Sequence, residues 1–439
     1  MNHLIVELSK YLLIVMMICY VFCNFYYFSK KTERGRNYVV NLQIFFMLFI
    51  HFLGFLILYL NTEDMLMLLF YAMQLAFFVA YLFIYPEIYR RVNRQLVVNS
   101  ALLMAVGLIM QTRLEGKLAF RQLVLILVAA AASLLIPLVI SHGEQVLYRC
   151  TWLYGIAGIL ALSLVFAGGD VEYGAKLSIK IGGISLQLSE FAKITYVFFV
   201  AGMLQKSRSF GRVFLTSAVA AVHVLLLVLS KDLGAALIFY VAYVLIIYVA
   251  TEKLRYVAAG VGMGIAASVA AYQLFGHVQV RVAAWIDPWA DVTGSGWQIA
   301  QSLFAVGSGK WLGSGLYQGM PYKIPVPSKD FIFSAVAEEM GAIFAIGMIL
   351  VCLGTLISFL WISTWMKQVF LKIVAFGLAA VYGVQVFLNI GGVLKLLPST
   401  GITLPFVSYG GSSVLSTFIL FGVMQGLYIM KQKEDEKVE

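Results

Sequence analysis

Residues 389–413 read NIGGVLKLLPSTGITLPFVSYGGSS. They interrupt a chain that is otherwise almost continuously apolar. Glycines, prolines and hydroxyl-bearing side chains stand here between two long hydrophobic runs. Backbone of this kind cannot face hydrocarbon, because each unpaired N–H or C=O group there costs several kcal/mol. The stretch must line a protein-walled cavity or the membrane surface, which is where binding and chemistry concentrate in membrane proteins.

Working outward, the rest of the chain is 62% hydrophobic and 12% charged, against roughly 25% charged in a soluble protein. That balance excludes a soluble globular domain and predicts an all-α polytopic membrane protein. A span needs roughly 20 apolar residues. Thirteen candidates lie near 11–29, 38–60, 65–86, 98–111, 121–141, 149–168, 188–205, 211–229, 233–250, 256–275, 331–360, 369–394 and 408–430. The run 98–111 is the shortest. Glu7 and Lys10 precede the first run, and no small-residue cleavage site follows it, so the opening residues read as a span and not as a signal peptide.

Basic residues fall in alternate loops, notably at 30–36, 90–94, 206–212, 253–255 and 431–437. This pattern puts the N-terminus outside and the C-terminus, with the charged tail 431–439, in the cytoplasm. The net charge of +10 is thereby a matter of topology, and no nucleic-acid partner is implied. Cys19, Cys23, Cys150 and Cys352 lie in or beside apolar runs and read as small hydrophobes. The histidines, His142 among them, show no ligand spacing, and no metal site is assigned.

The outer side then carries the irregular sequence: 169–189, the large extracytoplasmic loop 276–330, and 391–407. Six of the eight prolines lie in the last two. A long loop with no obvious secondary structure is usually functional.

Four outer motifs occur in order: GAKLSIKIGGISLQLSEFAK (174–193), KDLGAAL (231–237), GWQIAQSLFAVGSGKWLGSGL through SKDFIFSAVAEEMG (296–341), and the 389–413 stretch. Together they resemble the SEDS family (shape, elongation, division and sporulation), which includes RodA-, FtsW- and SpoVE-like proteins. The resemblance covers about residues 97–430, a ten-span core. About three extra N-terminal transmembrane helices, within 1–96, fall outside it. The resemblance implies a peptidoglycan glycosyltransferase that polymerises lipid II on the outer face of the bacterial cytoplasmic membrane. The implied partner is a class B penicillin-binding protein.

Asp330, in SKDFIFS, matches the family's essential aspartate and is the expected catalytic residue. One carboxylate suffices to deprotonate a sugar hydroxyl attacking opposite a diphosphate leaving group, an inverting displacement. Asp330 also suits the N-cap of a helix starting at Phe331. Departing negative charge needs cations or a divalent metal, Mg or Mn. Arg281, spaced before Asp287-Pro288-Trp289 as in the family, is the first choice among Arg281, Lys310, Lys323 and Lys329. Gln298 and Gln301 are candidates for binding sugar. Lys395 is the only cation of 389–413, and Pro398, Thr400, Gly401, Pro405, Ser408, Tyr409, Gly410 and Gly411 match the family pattern there. Of these, Lys395, Ser408, Tyr409 and Gly410 are taken as substrate contacts.

Supporting positions follow from spacing. Glu190 and Lys193 are three apart on one helix and can pair. Leu188 replaces a frequent family proline, and Leu177-Ser178 replace the usual Arg-Trp. Asp232 can cap the span at 233. Glu338 and Glu339 fall roughly 12 Å below the start of their helix. Adjacent positions diverge by about 100°, so the two need different partners. One is an ion pair, for which Lys193 is a candidate. The competing functional reading is a transporter (flippase) of a lipid-linked cell-wall precursor. It requires gates on both faces and usually shows repeats, whereas here polar irregular sequence concentrates on one side. A non-catalytic scaffold is the third reading, and the presence of Asp330 speaks against it.

Overall fold

The chain is a helical bundle, seen in a computed structural model that describes residues 2–172, 175–181 and 184–436. Its first helices are α1 (Asn2–Ser29), α2 (Glu33–Thr62) and α3 (Met65–Val79). A π-helical turn, Ala80–Ile84, leads into the short α4 (Tyr85–Ile88). Pro86 lies just beyond this turn. A proline lacks an N–H to close an i→i−4 bond, so the backbone shifts to wider pairing here. Then come α5 (Arg94–Leu114), α6 (Gly116–Ser133), α7 (Leu135–His142), α8 (Glu144–Arg149) and α9 (Thr151–Gly168). A small antiparallel sheet follows, of β1 (Asp170–Glu172), β2 (Ala175–Ile181) and β3 (Ile184–Leu186), with Val171 opposite Lys176 and Ile179 opposite Leu186.

The second half holds α10 (Ser189–Lys206), α11 (Phe210–Leu229), α12 (Leu233–Thr251) and α13 (Leu254–Leu274). The large loop contains α14 (Gly276–Ile286), α15 (Trp297–Gly309) and a 3-10 turn at Pro321–Lys323. It ends at α16 (Ile332–Trp365), α17 (Val369–Val393) and α18 (Gly411–Glu436). The regions 169–189 and 276–330, expected to be irregular, are thus partly ordered as strands and helices. The expected solvated tail is helical to Glu436, and 437–439 lie outside the described residues, as do 173–174 and 182–183 of the first outer motif.

Among the described residues, twelve helices are long and apolar enough to cross a membrane. The thirteenth expected span is α10, whose Glu190, Lys193 and Lys206 dilute its apolarity. It packs among α9, α12 and α17 instead of facing outward. The short run 98–111 proves to be the heart of the bundle: the whole apolar stretch of α5 is buried. Helix α13, by contrast, is almost entirely exposed.

The N-terminal helices are bonded to this heart. Asn24 of α1 accepts from Gln95 Nε2 and Asn99 Nδ2 of α5, both at 3.0 Å. Tyr20 donates to Asn99 Oδ1 at 2.8 Å. Glycines let α1 and α16 approach closely: a Cβ on Gly347 would stand 2.4 Å from Met17, and one on Gly354 would stand 2.1 Å from Asn24.

Candidate active site

The segment before α16 is fixed from three sides. Asn389 of α17 donates through Nδ2 to the carbonyls of Asp330 (2.9 Å) and Ile402 (2.6 Å), tying the two irregular stretches together. Ser408 donates to the Lys329 carbonyl at 2.6 Å and accepts from Leu404 N at 2.9 Å. The Tyr409 amide donates to the Ser328 carbonyl at 2.8 Å. From α6, Gln122 holds the Ser408 carbonyl and the Gly410 amide, each at 3.3 Å.

Asp330 emerges from this frame with its side chain uncommitted. The helix begins at Ile332, its N-cap is Phe331, and no side chain caps it. The expected capping role therefore fails. Among the described residues no hydrogen bond reaches the Asp330 carboxylate. Burial raises its pKa above the ordinary aspartate value, while Lys329 and then Arg281 pull it down. Gly401, at φ +72°, has its missing Cβ 3.6 Å from Asp330 Oδ2, so the space before the carboxylate stays open.

Two cavities meet at Asp330. The first, of about 260 Å³, is walled by Glu190, Lys193, Asp232, Arg281 and Gln298. The second, of about 660 Å³, is walled by Arg121, Lys329, Tyr409 and Gly410. Leu177, Gln187, Gly401 and Thr403 belong to both. Glu190 and Lys193 pair at 2.6 Å, as their spacing predicted. Lys193 also donates to Gln385 Oε1 at 2.8 Å, and Ser416 donates to Glu190 Oε2 at 2.6 Å. Asp232 caps α12 by accepting from Ala235 N at 3.0 Å, and it faces the cavity as well. Its pKa is raised, chiefly by burial. Arg281 donates to the Ser399 carbonyl at 3.3 Å.

Other expected contacts stand elsewhere. Ser408 is buried with its hydroxyl used internally, so it is a frame residue. Gln301 and Lys395 are on neither cavity wall. Lys395 occupies a left-handed turn (φ 58°) after α17, its carbonyl accepting from Trp285 Nε1 at 3.1 Å. Lys310 and Lys323 also lie off both walls. Glu338 and Glu339 do take separate partners, but Lys193 is neither. Glu338 Oε1 accepts from Met320 N at 2.8 Å, and Glu339 Oε1 accepts from Arg113 Nε at 3.0 Å. Lys193 is already satisfied by Glu190 and Gln385.

A family model described as cell cycle protein (FtsW, RodA, SpoVE) matches residues 93–433. The chain belongs to this family. Similar relatives include the peptidoglycan glycosyltransferase RodA of Mycobacterium tuberculosis, 34% identical over 353 residues, covering 74% of this chain and 75% of the relative. The probable peptidoglycan glycosyltransferase FtsW of Geobacter metallireducens is 31% identical over 307 residues, covering 68% of this chain and 81% of the relative. Two solved structures share the fold. One is a chain from work on coordination of polymerization and crosslinking by a peptidoglycan synthase complex (TM-score 0.66, 24% identity, 77% of this chain and 97% of that one). The other is the rod shape determining protein RodA of Thermus thermophilus (TM-score 0.58, 24% identity, 77% and 96%).

Within this family member, three site-building residues carry no motif of their own: Arg113, Gln122 and Gln385. The signal that could have found them is shared. Each is a polar or charged side chain in or beside an apolar run, where it needs a partner.

Proposed function

We propose that the chain is a peptidoglycan glycosyltransferase that polymerises lipid II on the outer face of the bacterial cytoplasmic membrane, N-terminus outside and C-terminus cytoplasmic. The observation that carries the reading is an unpartnered, mostly buried carboxylate, Asp330, set where two cavities meet. An apolar groove adjoins the smaller one. The groove, about 670 Å³, runs between α11, α12 and α13 and shares Leu233, Arg281, Ser399 and Thr400 with the Asp330 cavity. A prenyl chain fits the groove, its diphosphate fits beside Arg281, and its sugars reach Asp330.

The chemistry then follows from the residues. Asp330 accepts the proton of a sugar hydroxyl on one chain as that oxygen attacks the anomeric carbon of the other. The carbon–oxygen bond to the diphosphate breaks as the new glycosidic bond forms, and attack from the opposite face inverts the anomeric centre. Arg281, with Lys231 on the same wall, offsets the charge of the departing undecaprenyl diphosphate. A divalent cation, Mg or Mn, would add a Lewis acid to that group. Among the described residues no group of three His, Cys, Asp or Glu could hold an ion alone. The residues present fit an ion that arrives with the diphosphate and would be held by Asp232, on the same wall as Arg281, since Mg usually takes one or two carboxylates plus substrate phosphates.

A class B penicillin-binding protein is the expected partner, supported by the likeness to a chain of a peptidoglycan synthase complex. The test is the full chain in vesicles containing lipid II, with and without that transpeptidase. Glycan strands should accumulate. Movement of lipid II between leaflets with no polymer would instead establish the flippase reading.

A further inference from the structure

A second polar cavity lies at the other end of α18. That helix starts beside Asp330, with Ser413 on the larger cavity's wall, and ends with Tyr428 and Gln432 on the wall of another. From Ser413 to Gln432 the rise is roughly 28 Å at about 1.5 Å per residue, so the two sites open on opposite faces of the bundle. In the proposed orientation this one faces the cytoplasm.

The cavity, about 620 Å³, is cut into the seam between the N-terminal helices and the family-matched region. Lys31, Arg36, Arg90, Arg91 and Arg94 line it, against two carboxylates among the described residues, Glu33 and Glu87. Among the described residues no carboxylate lies within ion-pair distance of Lys31, Arg36, Arg90 or Arg94. Arg94 is aimed by Asn37 (3.3 Å) and Asn41 (3.0 Å), and Arg36 by the Lys30 carbonyl (2.9 Å). Cations that only set topology would spread into solvent; these converge on one concavity. Apolar surface adjoins them. Phe83 is on the rim, and Ile84 and Ile88 beside it are 57% and 54% exposed. The π-turn and Pro86 bend the chain where the greasy rim meets the basic floor.

Convergent guanidinium groups bind phosphate oxygens, and basic pockets between transmembrane helices take anionic headgroups. We propose that this cavity binds the phosphate of an anionic membrane lipid, with its acyl chains along Phe83, Ile84 and Ile88. Such a lipid would bridge the N-terminal helices to the family-matched region. The inference is independent of the polymerase reading.

The experiment is native mass spectrometry and thermal unfolding of the full chain in detergent, titrated with phosphatidylglycerol, phosphatidylcholine or inorganic phosphate. Phosphatidylglycerol should bind about tenfold or more tighter than phosphatidylcholine and raise the unfolding midpoint. The double variant Lys31→Gln/Arg90→Gln, at two exposed positions whose loss threatens no packing, should erase most of that preference. Asp330→Asn should retain it in full. Equal binding of the two lipids, or a preference unchanged in the double variant, overturns the site. Protection by inorganic phosphate as strong as that by the lipid overturns the lipid as its occupant.

Discussion

Asp330 is where environment and chemistry meet most closely. A carboxylate buried without hydrogen bonds is destabilised as an anion, which is why its pKa is raised, and a base gains proton affinity the same way. Lys329 and Arg281 pull the other way and offset part of that rise. The consequence for pH dependence has a definite sign. The base works deprotonated, so activity falls as pH drops through its raised pKa, and the acid limb of kcat/KM should lie above the ordinary carboxylate range. Arg281→Gln removes one lowering influence, so that limb should move to higher pH while the maximal rate falls. A limb that moves to lower pH, or stays put, would contradict the placement of Arg281.

At the scale of elements, α16 is interrupted at Gly341, whose φ of 89° and ψ of 162° leave the helical region. Segment 310–315 pairs with the break: Ser314 N and Gly315 N donate to the carbonyls of Glu338 and Glu339, and Ala342 N donates to the Lys310 carbonyl, each at 2.9 Å. A Cβ on Gly341 would stand 2.4 Å from Gly313 N. Gly341→Ala therefore combines a clash with left-handed strain of about 1–3 kcal/mol, and should lower the thermal unfolding midpoint and the activity together. The same loop is pinned by Arg113. It pairs with the fully buried Glu339, donates to the Gly319 carbonyl at 3.3 Å and lies 4.0 Å over the Tyr317 ring. Arg113→Met strands a buried charge and should cost about 3–5 kcal/mol, with Arg113→Met/Glu339→Leu recovering much of it. Unfolding in detergent measures both. A double variant no more stable than the single would argue against an isolated pair.

Across the whole molecule, the sequence was readable where signals are local. Apolar runs located the helices, and the motifs gathered at Asp330 lie in loops expected on one face. Glu190 and Lys193 were legible as a pair because three residues of helix bring them together. Arg113 and Glu339 were not, since 226 positions separate them and only the packing of α5 against α16 joins them. Lys395 misled for the converse reason: its family-like neighbourhood fixes the backbone, not the direction of its side chain. The low apolarity of α10 likewise reflects a site it helps to build. The N-terminal helices pose a test at this scale. They contribute no wall to either Asp330 cavity, so a chain lacking 1–90 should still polymerise. It would also leave Gln95 and Asn99 without their partners on α1, and its unfolding midpoint should fall. Folded truncated protein with no activity would require the N-terminal helices in the catalytic unit.

The most direct measurement compares the full chain with Asp330→Asn in lipid II vesicles, reading glycan polymer and thermal unfolding in parallel. The exchange removes a charge that no neighbour hydrogen-bonds, so the folded protein should persist with an unchanged or higher midpoint. Polymerisation should fall by about 10²–10⁴-fold or more, the contribution of a general base. Folded Asp330→Asn protein that makes glycan at the native rate would contradict the account.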